Sequence, residues 1–411
     1  MAVWKEPRFV VAVIQLNNFN NVSIVAGSKH VKNVPEIPFK DVSLAFLCEL
    51  SNAIRKSALV KIYPDLMAFS FWCRKGHLEN FKKEQANLER RLGRGLVFHI
   101  APSNVPLIFG YSFIFGLLSG NANIVKVPSK EFPQGEFLCK AIDDLLRKEE
   151  YESIYNNTAL IKYDKEDEIT KYLSSVCDAR IIWGGDSTIK NIRKFETPVR
   201  SVDIAFADRY SICVVDVEKL SKLSTKELLK VVGLFYNDTF LMDQNACSSP
   251  HIVIWIGKEK YGSKNKFWRA LERYVKKNYD IECISIIDKY TKLCQTAIDI
   301  GVPFDFISYD NLIYRVKLNK LPDNIHQFRG NCGYFYEYDV SNLDEICHII
   351  NNKYQTVTYF GLEKEFLVDF VIRNKLHGLD RIVPIGKALD IDLVWDGFEV
   401  ISCLSRKINY N

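Results

Sequence analysis

The sequence predicts an α/β protein with two domains, and three observations support this prediction. The chain has 411 residues, a length that favours two cores over one. Its composition, 47% hydrophobic and 26% charged, is typical of a folded protein and excludes a disordered or fibrous class. From residue 96 onward, strand-like apolar segments alternate with segments of helical spacing. This alternation indicates a parallel sheet covered by helices on both faces.

The elements of the first domain follow one another closely. Before them, Asp41 is expected to start an amphipathic helix, and residues 82–92 are expected to form a charged one. The alternating segments are LVFHIAP (96–102), an apolar helix at 105–120, NIVKVP (123–128), a helix at 133–147, TALIKY (158–163), a helix at 165–175, ARIIWGG (179–185), a further helix, VDIAF (202–206) and SICVVD (211–216). Ligands of such sheets bind at the carboxyl ends of the strands.

The pattern changes after residue 237. The loop NDTFLMDQNACSSP (237–250) leads into the β-branched strand HIVIWIG (251–257), a basic amphipathic helix and further strands and helices to about residue 390. The predicted division of the chain is therefore 1–236 for the first domain, 237–390 for the second, and 391–411 for a C-terminal arm.

Charge and hydropathy exclude several classes of protein. The 55 basic and 50 acidic residues give a net charge of +5 that is spread along the chain, whereas nucleic-acid binding needs a concentrated basic face. The apolar stretch at 105–120 contains Pro106 and is shorter than the roughly 20 residues that span a bilayer. We therefore expect no membrane span. The first residues do not resemble a leader peptide, so we expect a cytoplasmic protein with reduced thiols.

The eleven cysteines include no CxxC pair, and the seven histidines form no HxxxH or HExxH pattern. We therefore predict no metal site. Most of the cysteines are expected to be small buried apolar residues. Cys247 differs because it lies in the polar loop QNACSSP, where a thiol can be partly exposed and reactive. His251, four residues later, is either its base or a histidine at a strand edge.

The common nucleotide-binding and serine-hydrolase motifs are missing. No Walker A sequence, no GxGxxG after a strand and no GxSxG occurs. A glycine pair, Gly184 and Gly185, does lie between a predicted strand and a predicted helix. It is either a phosphate-binding turn or an ordinary turn.

Taken in order, several segments resemble the aldehyde dehydrogenase superfamily, and more closely the acyl-CoA reductases of the bacterial bioluminescence (lux) operon. The segments that carry the resemblance are HIAPSNVPL (99–107), GNANIVKVPSK (120–130), WGGDST (183–188), FADRYS (206–211), DQNACSSP (243–250), QTVTYFG (355–361), DRIVPIGKALD (380–390) and WDG (395–397). The resemblance implies an aldehyde dehydrogenase-like fold, with a Rossmann-type cofactor domain and a second α/β catalytic domain.

The resemblance also implies catalytic roles. Cys247 would be the nucleophile that takes the acyl group as a thioester. Asn104 would direct its side-chain amide to the carbonyl oxygen and share an oxyanion hole with the backbone N–H of Cys247. Hydrolytic relatives carry a water-activating glutamate in a segment that corresponds to FADRYS here, which has none. The resemblance therefore favours a reductase.

For the cofactor, the resemblance implies that Lys126 reaches the ribose hydroxyls of a nicotinamide nucleotide. The turn under the pyrophosphate would consist of Gly184, Gly185 and Ser187. Three residues after Lys126, where relatives that prefer NAD often have a glutamate, this chain has Ser129, followed by Lys130. These two residues would accept a 2′-phosphate, so NADPH is the expected cofactor.

The expected function is NADPH-dependent reduction of a fatty acyl thioester to the aldehyde through an acyl-cysteine intermediate. The acyl donor would be a fatty acyl-CoA or an acyl-protein thioester, delivered in the second case by an acyl-protein synthetase partner. A homo-oligomer is also expected. Two alternatives remain open, a hydrolytic NAD(P)-dependent aldehyde dehydrogenase and a non-catalytic scaffold subunit with the same fold.

Overall fold

The computed structural model describes residues 12–103, 105–164 and 167–409, without the Asn18 side chain. The chain divides into two compact units. The first unit runs to Ala207 and also includes the C-terminal residues from Phe398. The second unit is Asp208–Gly397.

The first unit contains the following helices and strands. They are β1 Val13–Gln15, β2 Ser23–Gly27, β3 His30–Lys32, α1 Asp41–Lys56, α2 Pro64–Trp72, α3 Lys75–Glu84, β4 Arg91–Gly93, β5 Leu96–Ile100, α4 Ile108–Leu118, β6 Ala122–Lys126, α5 Pro133–Leu146, α6 Glu152–Asn156, β7 Thr158–Lys162, α7 Asp167–Val176, β8 Ala179–Trp183, α8 Asp186–Ile192 and β9 Val202–Phe206.

The main sheet of the first unit has the order β2-β7-β6-β5-β8-β9. All its pairs are parallel except β2 with β7. β5 is buried along its whole length, as its uninterrupted apolar sequence predicts. From β5 the chain moves outward to β6 and β7 and then crosses to β8 on the other side. This reversal is a topological switch point, where open α/β sheets bind ligands beyond the carboxyl ends of the strands.

The second unit contains the next elements of the chain. They are β10 Tyr210–Asp216, α9 Val217–Ser221, α10 Thr225–Thr239, β11 Pro250–Ile256, α11 Ser263–Asn278, α12 Cys283–Asp299, β12 Phe304–Tyr309, β13 Ile313–Leu318, β14 Tyr334–Val340, β15 Tyr354–Phe360, α13 Lys364–Arg373, β16 Arg381–Pro384 and β17 Val394–Trp395. The C-terminal residues of the first unit add β18 Phe398–Glu399, α14 Val400–Leu404 and β19 Ser405–Lys407. Short 3₁₀ helices lie at Leu16–Asn18, Ala58–Lys61, Leu88–Arg90, Glu149–Tyr151, Ile325–Gln327 and Leu343–Ile349.

The sheet of the second unit has the order β12-β13-β14-β11-β10-β15-β16, and all its pairs are parallel except β12 with β13. A buried apolar cluster covers each face of this sheet. α10, which precedes the Cys247 loop, begins with a capping box in which Ser224 and Glu227 bond each other's backbone N–H. The predicted parallel α/β architecture is thus confirmed in both units.

Two predictions of local organisation differ from the structure. The charged helix expected at 82–92 is wrong: α3 ends at Glu84, and the chain then forms a 3₁₀ turn and β4. Asn87 has a left-handed backbone with φ 57°, which stops a helix, and β4 pairs with the distant strand β19.

The boundary between the units also differs from the predicted one at 236/237. It falls after Ala207, because β10 pairs with β11 and β15 and therefore belongs to the second sheet. The C-terminal residues from Phe398 belong to the first unit instead of forming a separate arm. Among the described residues, none of the helices combines the length and the apolar composition that a membrane span requires.

Candidate active site

Cys247 lies in a tight loop between α10 and β11, as the sequence predicts. Asp243 and Gln244 turn the chain with left-handed backbone angles, φ 51° and 58°. Backbone bonds close the loop, with 2.7 Å from the Asn245 N–H to the Met242 carbonyl and 2.9 Å from the Ser249 N–H to the Ala246 carbonyl. The position of the cysteine is therefore determined by folded backbone geometry.

The buried Gln244 amide fixes this loop to the sheet. Its Nε2 donates to the carbonyls of Pro250 (3.1 Å) and Tyr334 (3.2 Å). Its Oε1 accepts the backbone N–H groups of Gly333 (2.8 Å) and Tyr334 (2.9 Å). All four hydrogen-bonding positions of the amide are thus used, and the loop is held to the starts of β11 and β14.

The backbone of Cys247 itself is anchored to the neighbouring strands. The Ser211 hydroxyl donates to the Cys247 carbonyl over 2.6 Å, and the same hydroxyl accepts the Thr356 N–H over 3.2 Å. Ser211 lies at the start of β10 and Thr356 near the start of β15. The cysteine therefore lies at the amino-terminal edge of the parallel strands.

A charged pair lies beside the sulfur of Cys247. The thiol donates to the Asp208 carboxylate, with 3.7 Å between Sγ and Oδ1. Arg329 donates from Nη1 to the same oxygen over 2.6 Å and from Nη2 to the carbonyl of Arg209. Burial raises the pKa of the half-buried Cys247 thiol, and this effect exceeds the lowering by a backbone hydrogen bond from Arg209. The sulfur is therefore protonated at neutral pH.

The exposure of the other cysteines differs from the expectation that most are buried. All eleven thiols are free, and those that are buried are Cys73, Cys139, Cys177 and Cys213. Cys283 and Cys294 are exposed, and the rest, including Cys247, are intermediate. An apolar stretch of sequence does not specify which of its side chains faces the core. Exposure alone therefore does not distinguish Cys247, whereas its contacts do.

His251 is a core histidine of β11 in this structure. It is fully buried, its Nδ1 lies 2.9 Å from the Gly330 carbonyl, and its ring stacks on Tyr210 with 5.3 Å between centroids. Burial lowers the pKa of His251 well below its ordinary value. The residue is thus neutral, and Nδ1 donates its proton to backbone. The contacts that the structure describes for His251 do not include Cys247.

The residues predicted to bind a cofactor lie at the carboxyl edge of the first sheet. Lys126 is the last residue of β6, and its ammonium lies 4.1 Å from the centroid of the Tyr163 ring. Ser129 and Lys130 follow in an exposed bend. The Lys130 ammonium lies 5.2 Å from the centroid of the Phe132 ring.

A groove adjoins this bend. Its apolar lining includes Val25, Pro128 and Phe132. Its charged lining is mixed, with the ammonium groups of Lys130, Lys140 and Lys162 and the carboxylates of Glu131, Glu136 and Asp143. Apolar walls can take a flat ring system, and an exposed lysine such as Lys130 can pair with a phosphate.

The glycine turn lies two strands away, at the end of β8. Gly184 and Gly185 have no left-handed backbone angle, so conformation does not require glycine at either position. A Cβ added to Gly185 would meet nothing within 4 Å, so this turn is open to approach. Ser187 is exposed in the first turn of α8. β5 separates β6 from β8, so the two sets of predicted cofactor residues flank the switch point.

A buried network of hydrogen-bonded side chains connects the strands that end at this edge. The Trp183 Nε1–H donates to the Ser112 hydroxyl over 3.0 Å, and that hydroxyl lies 2.8 Å from His99 Nδ1. His99 Nε2 lies 3.0 Å from Asn123 Oδ1. Burial lowers the pKa of His99 to about 4. A neutral imidazole that accepts from Ser112 and donates to Asn123 satisfies every group, and it ties β5, β6 and β8 together.

Two predictions remain, the oxyanion role of Asn104 and the absence of a metal site. Asn104 lies outside the described residues, so its predicted oxyanion role stays a prediction. Within the described residues, no group of three or more histidine, cysteine, aspartate or glutamate side chains could hold a metal ion.

Sequence reasoning missed Asp208, Arg329 and Gln244. The resemblance singles out the FADRYS segment for its missing glutamate and assigns no role to its aspartate, Asp208. Asp208 and Cys247 are 39 positions apart, and Arg329 is 121 positions from Asp208, so no local spacing connects them. Asp208 precedes β10, which the sequence assigns to the first domain and the structure to the second, so the sequence held no signal that joins it to Cys247.

Comparisons with known proteins identify the family of this chain. The sequence model of the acyl-CoA reductase (LuxC) family matches residues 29–283, a range that includes Asn104, Lys126 and Cys247. A long-chain acyl-protein thioester reductase of Aliivibrio fischeri is 24% identical over 309 residues, which cover 71% of this chain. One from Photobacterium phosphoreum is 24% identical over 307 residues and 72% of this chain. In both comparisons the match spans 58% of the relative's length.

Solved structures confirm the fold. The 1-pyrroline-5-carboxylate dehydrogenase of Thermus thermophilus aligns with a TM-score of 0.61 at 11% identity, covering 90% of this chain and 80% of that one. The lactaldehyde dehydrogenase of Escherichia coli aligns with a TM-score of 0.59 at 13% identity, covering 89% and 85%. The predicted aldehyde dehydrogenase-like fold is therefore confirmed.

Proposed function

The chain belongs to the acyl-CoA reductase (LuxC) family, and from this premise we propose that it reduces a long-chain acyl thioester to the aldehyde. The observation that carries the proposal is the setting of Cys247. Its loop is fixed to the starts of β10, β11 and β14. Its sulfur contacts a carboxylate held by an arginine. A scaffold subunit would need none of these contacts.

In this proposal Cys247 attacks the carbonyl carbon of the acyl thioester and becomes acylated. The anchored backbone keeps the sulfur in one place, which lowers the entropic cost of the attack. Asn104 and the Cys247 N–H would stabilise the oxyanion. After reduction of the acyl group, the C–S bond breaks and releases the aldehyde and the free thiol.

The residues at the carboxyl edge of the first sheet fit a nicotinamide nucleotide. Lys126 would bind the ribose hydroxyls, and the groove beside Lys130 would take the adenosine end. The open turn at Gly184, Gly185 and Ser187 would accept the pyrophosphate. When bound, this cofactor supplies the hydride that reduces the thioester.

Within this proposal the cofactor is NADPH. Ser129 and Lys130 lie in the exposed bend beside the groove. A 2′-phosphate carries up to two negative charges that the Lys130 ammonium would stabilise, whereas a glutamate at position 129 would repel it.

We further propose that the protein works in a reducing cytoplasm as a homo-oligomer. Its acyl donor would be either a fatty acyl-CoA or an acyl-protein thioester presented by an acyl-protein synthetase. Supplying each donor separately to the purified protein distinguishes the two, and light scattering measures the oligomer.

The direct test of function uses palmitoyl-CoA with NADPH. We expect the wild type to oxidise NADPH and to form an aldehyde that can be trapped. The Cys247→Ala variant should do neither. If NADPH is not consumed with either acyl donor, the proposal is wrong.

The Asp208 carboxylate beside Cys247 gives one reason to test the hydrolytic alternative as well, because a carboxylate near an acyl-cysteine can activate water. That enzyme would reduce NAD⁺ or NADP⁺ with a fatty aldehyde and release the acid. Mass analysis of the product, aldehyde against acid, decides between the two directions.

A further inference from the structure

The Cys247 thiol must lose a proton before or during its attack on a thioester, because the thiolate is the nucleophile. In this structure the sulfur is protonated, since burial raises the pKa of the Cys247 thiol. His251 is not assigned as the proton acceptor, because its ring is fully buried, burial lowers its pKa well below the ordinary value, and the contacts described for it do not include the sulfur. The described carboxylate that accepts a hydrogen bond from Sγ is Asp208, at 3.7 Å.

Arg329 holds that carboxylate in place. Its guanidinium donates to Asp208 Oδ1 over 2.6 Å and to the Arg209 carbonyl, so the aspartate is fixed relative to the strand that follows it. Asp208 is nonetheless accessible, because 55% of its side-chain surface is exposed. A proton that arrives on this carboxylate can therefore pass to a bound molecule or to solvent.

We infer that Asp208 is the proton shuttle of the acyl-transfer step, with Arg329 as the residue that positions it. This inference rests on the proposed function. Asp208 takes the proton of Cys247 as the sulfur attacks R–CO–S–R′, and it gives that proton to the departing sulfur. A C–S bond to Cys247 forms, the C–S bond to R′ breaks, and the products are the acylated cysteine and HS–R′. No oxidant or reductant takes part.

The charges around the sulfur lead to an unusual expectation for Asp208→Asn. Asp208 and Asp396 raise the pKa of the thiol, whereas Arg329 and the Arg209 N–H lower it. Removing the Asp208 charge therefore increases the thiolate population at a given pH. Simple alkylation, which needs only a thiolate, becomes faster. Acyl transfer becomes slower, because it has lost both the acceptor for the thiol proton and the donor to the leaving sulfur.

The experiment measures both reactions on the purified full chain. Rapid-quench labelling with radioactive palmitoyl-CoA reports acylation, and the iodoacetamide rate at pH 7.5, followed by mass spectrometry of the Cys247 peptide, reports thiol reactivity. For Asp208→Asn we expect acylation to fall about a hundredfold, a typical general acid–base contribution, while alkylation rises. Asp208→Glu should recover part of the acylation rate.

The matched control is Asp344→Asn, which removes an exposed aspartate that pairs with an arginine, Arg373, over 3.0 Å. It should change neither rate. Unchanged acylation in Asp208→Asn would overturn the shuttle, and a parallel fall of acylation and alkylation would show that Asp208 only supports the loop. If neither palmitoyl-CoA nor an acyl-protein thioester acylates wild-type Cys247, the proposed function itself is wrong, and the shuttle is rejected with it.

Discussion

Each unit has one mainly parallel sheet, and the candidate residues lie at the carboxyl ends of the strands in one sheet and at the amino ends in the other. In the first unit, Lys126 ends β6 and the Gly184 turn follows β8, so both lie at the carboxyl edge. In the second unit, Cys247 precedes β11, and its carbonyl is bonded by Ser211 at the start of β10. Its candidate nucleophile therefore lies at the amino edge.

The difference shows how each edge is built. At a carboxyl edge, strands lead into turns and helix starts, whose free N–H groups favour phosphates. At an amino edge, loops enter the strands, and side chains must fix them. Gln244, Ser211 and Arg329 supply those contacts in the second unit. The following experiments test the division between a binding edge and a chemical edge.

The largest expected effect is the loss of chemistry in Cys247→Ala. Aldehyde formation from palmitoyl-CoA should fall at least a thousandfold, because no acyl intermediate can form. The far-ultraviolet circular dichroism spectrum should stay that of the wild type. Cys283→Ala, at an exposed cysteine of the same unit, is the control and should retain activity. If the Cys247→Ala variant forms substantial aldehyde, Cys247 is not the nucleophile and the amino edge is not the site of the reaction.

Gln244→Ala tests whether a side chain holds the amino edge. It leaves two backbone N–H groups and two carbonyls without their buried partner, so we expect a loss of about 3 kcal/mol in the free energy of unfolding. Urea denaturation followed in the second unit measures it. Gln295→Ala, at an exposed glutamine of α12, should change stability by less than about 0.5 kcal/mol. Equal stability of the two variants would contradict this role for Gln244.

Acid should lower the free energy of unfolding, because the buried His99 at the carboxyl edge resists protonation in the folded state. Its folded-state pKa is about 4 against an ordinary 6.5, so the unfolded chain binds the extra proton between these values. Stability is therefore full above pH 6.5 and falls as the pH drops toward 4, by about 3 kcal/mol for this group. Urea denaturation at pH 7 and pH 4.5 measures the change. The non-titrating variant His99→Gln should show a smaller loss between the two pH values, and an equal loss would exclude His99 as the cause.

The smallest expected effect concerns cofactor choice at the carboxyl edge. Lys130→Glu should raise the KM for NADPH about tenfold and leave the KM for NADH nearly unchanged, because only NADPH carries the 2′-phosphate. Initial rates with each cofactor measure the ratio. Lys171→Glu makes the same charge change on an exposed face of α7 and should leave both values unaltered. If the two variants behave alike, Lys130 does not contact the phosphate.

Local sequence predicted most of the elements near the site. The strands expected at 96–102, 123–128 and 179–185 are β5, β6 and β8, because long apolar runs between turns leave few alternatives. Local sequence does not predict β4 in the charged segment at 82–92, because β4 pairs with β19, far along the chain. The unit boundary also differs from the prediction because of distant pairing. β10 pairs with β11 and β15, which lie later in the chain, and therefore belongs to the second sheet.

The sequence by itself determined the α/β class, the family resemblance and the choice of Cys247, because composition, periodicity and ordered motifs are properties of short segments. The tertiary structure decided that Asp208 and Arg329 meet at the sulfur, that Gln244 anchors the loop, and that His251 is held in the core. Those contacts join residues from separate strands and loops, and they exist only once the sheet has aligned its strand ends. The protonation state of the thiol follows from that burial and those charges.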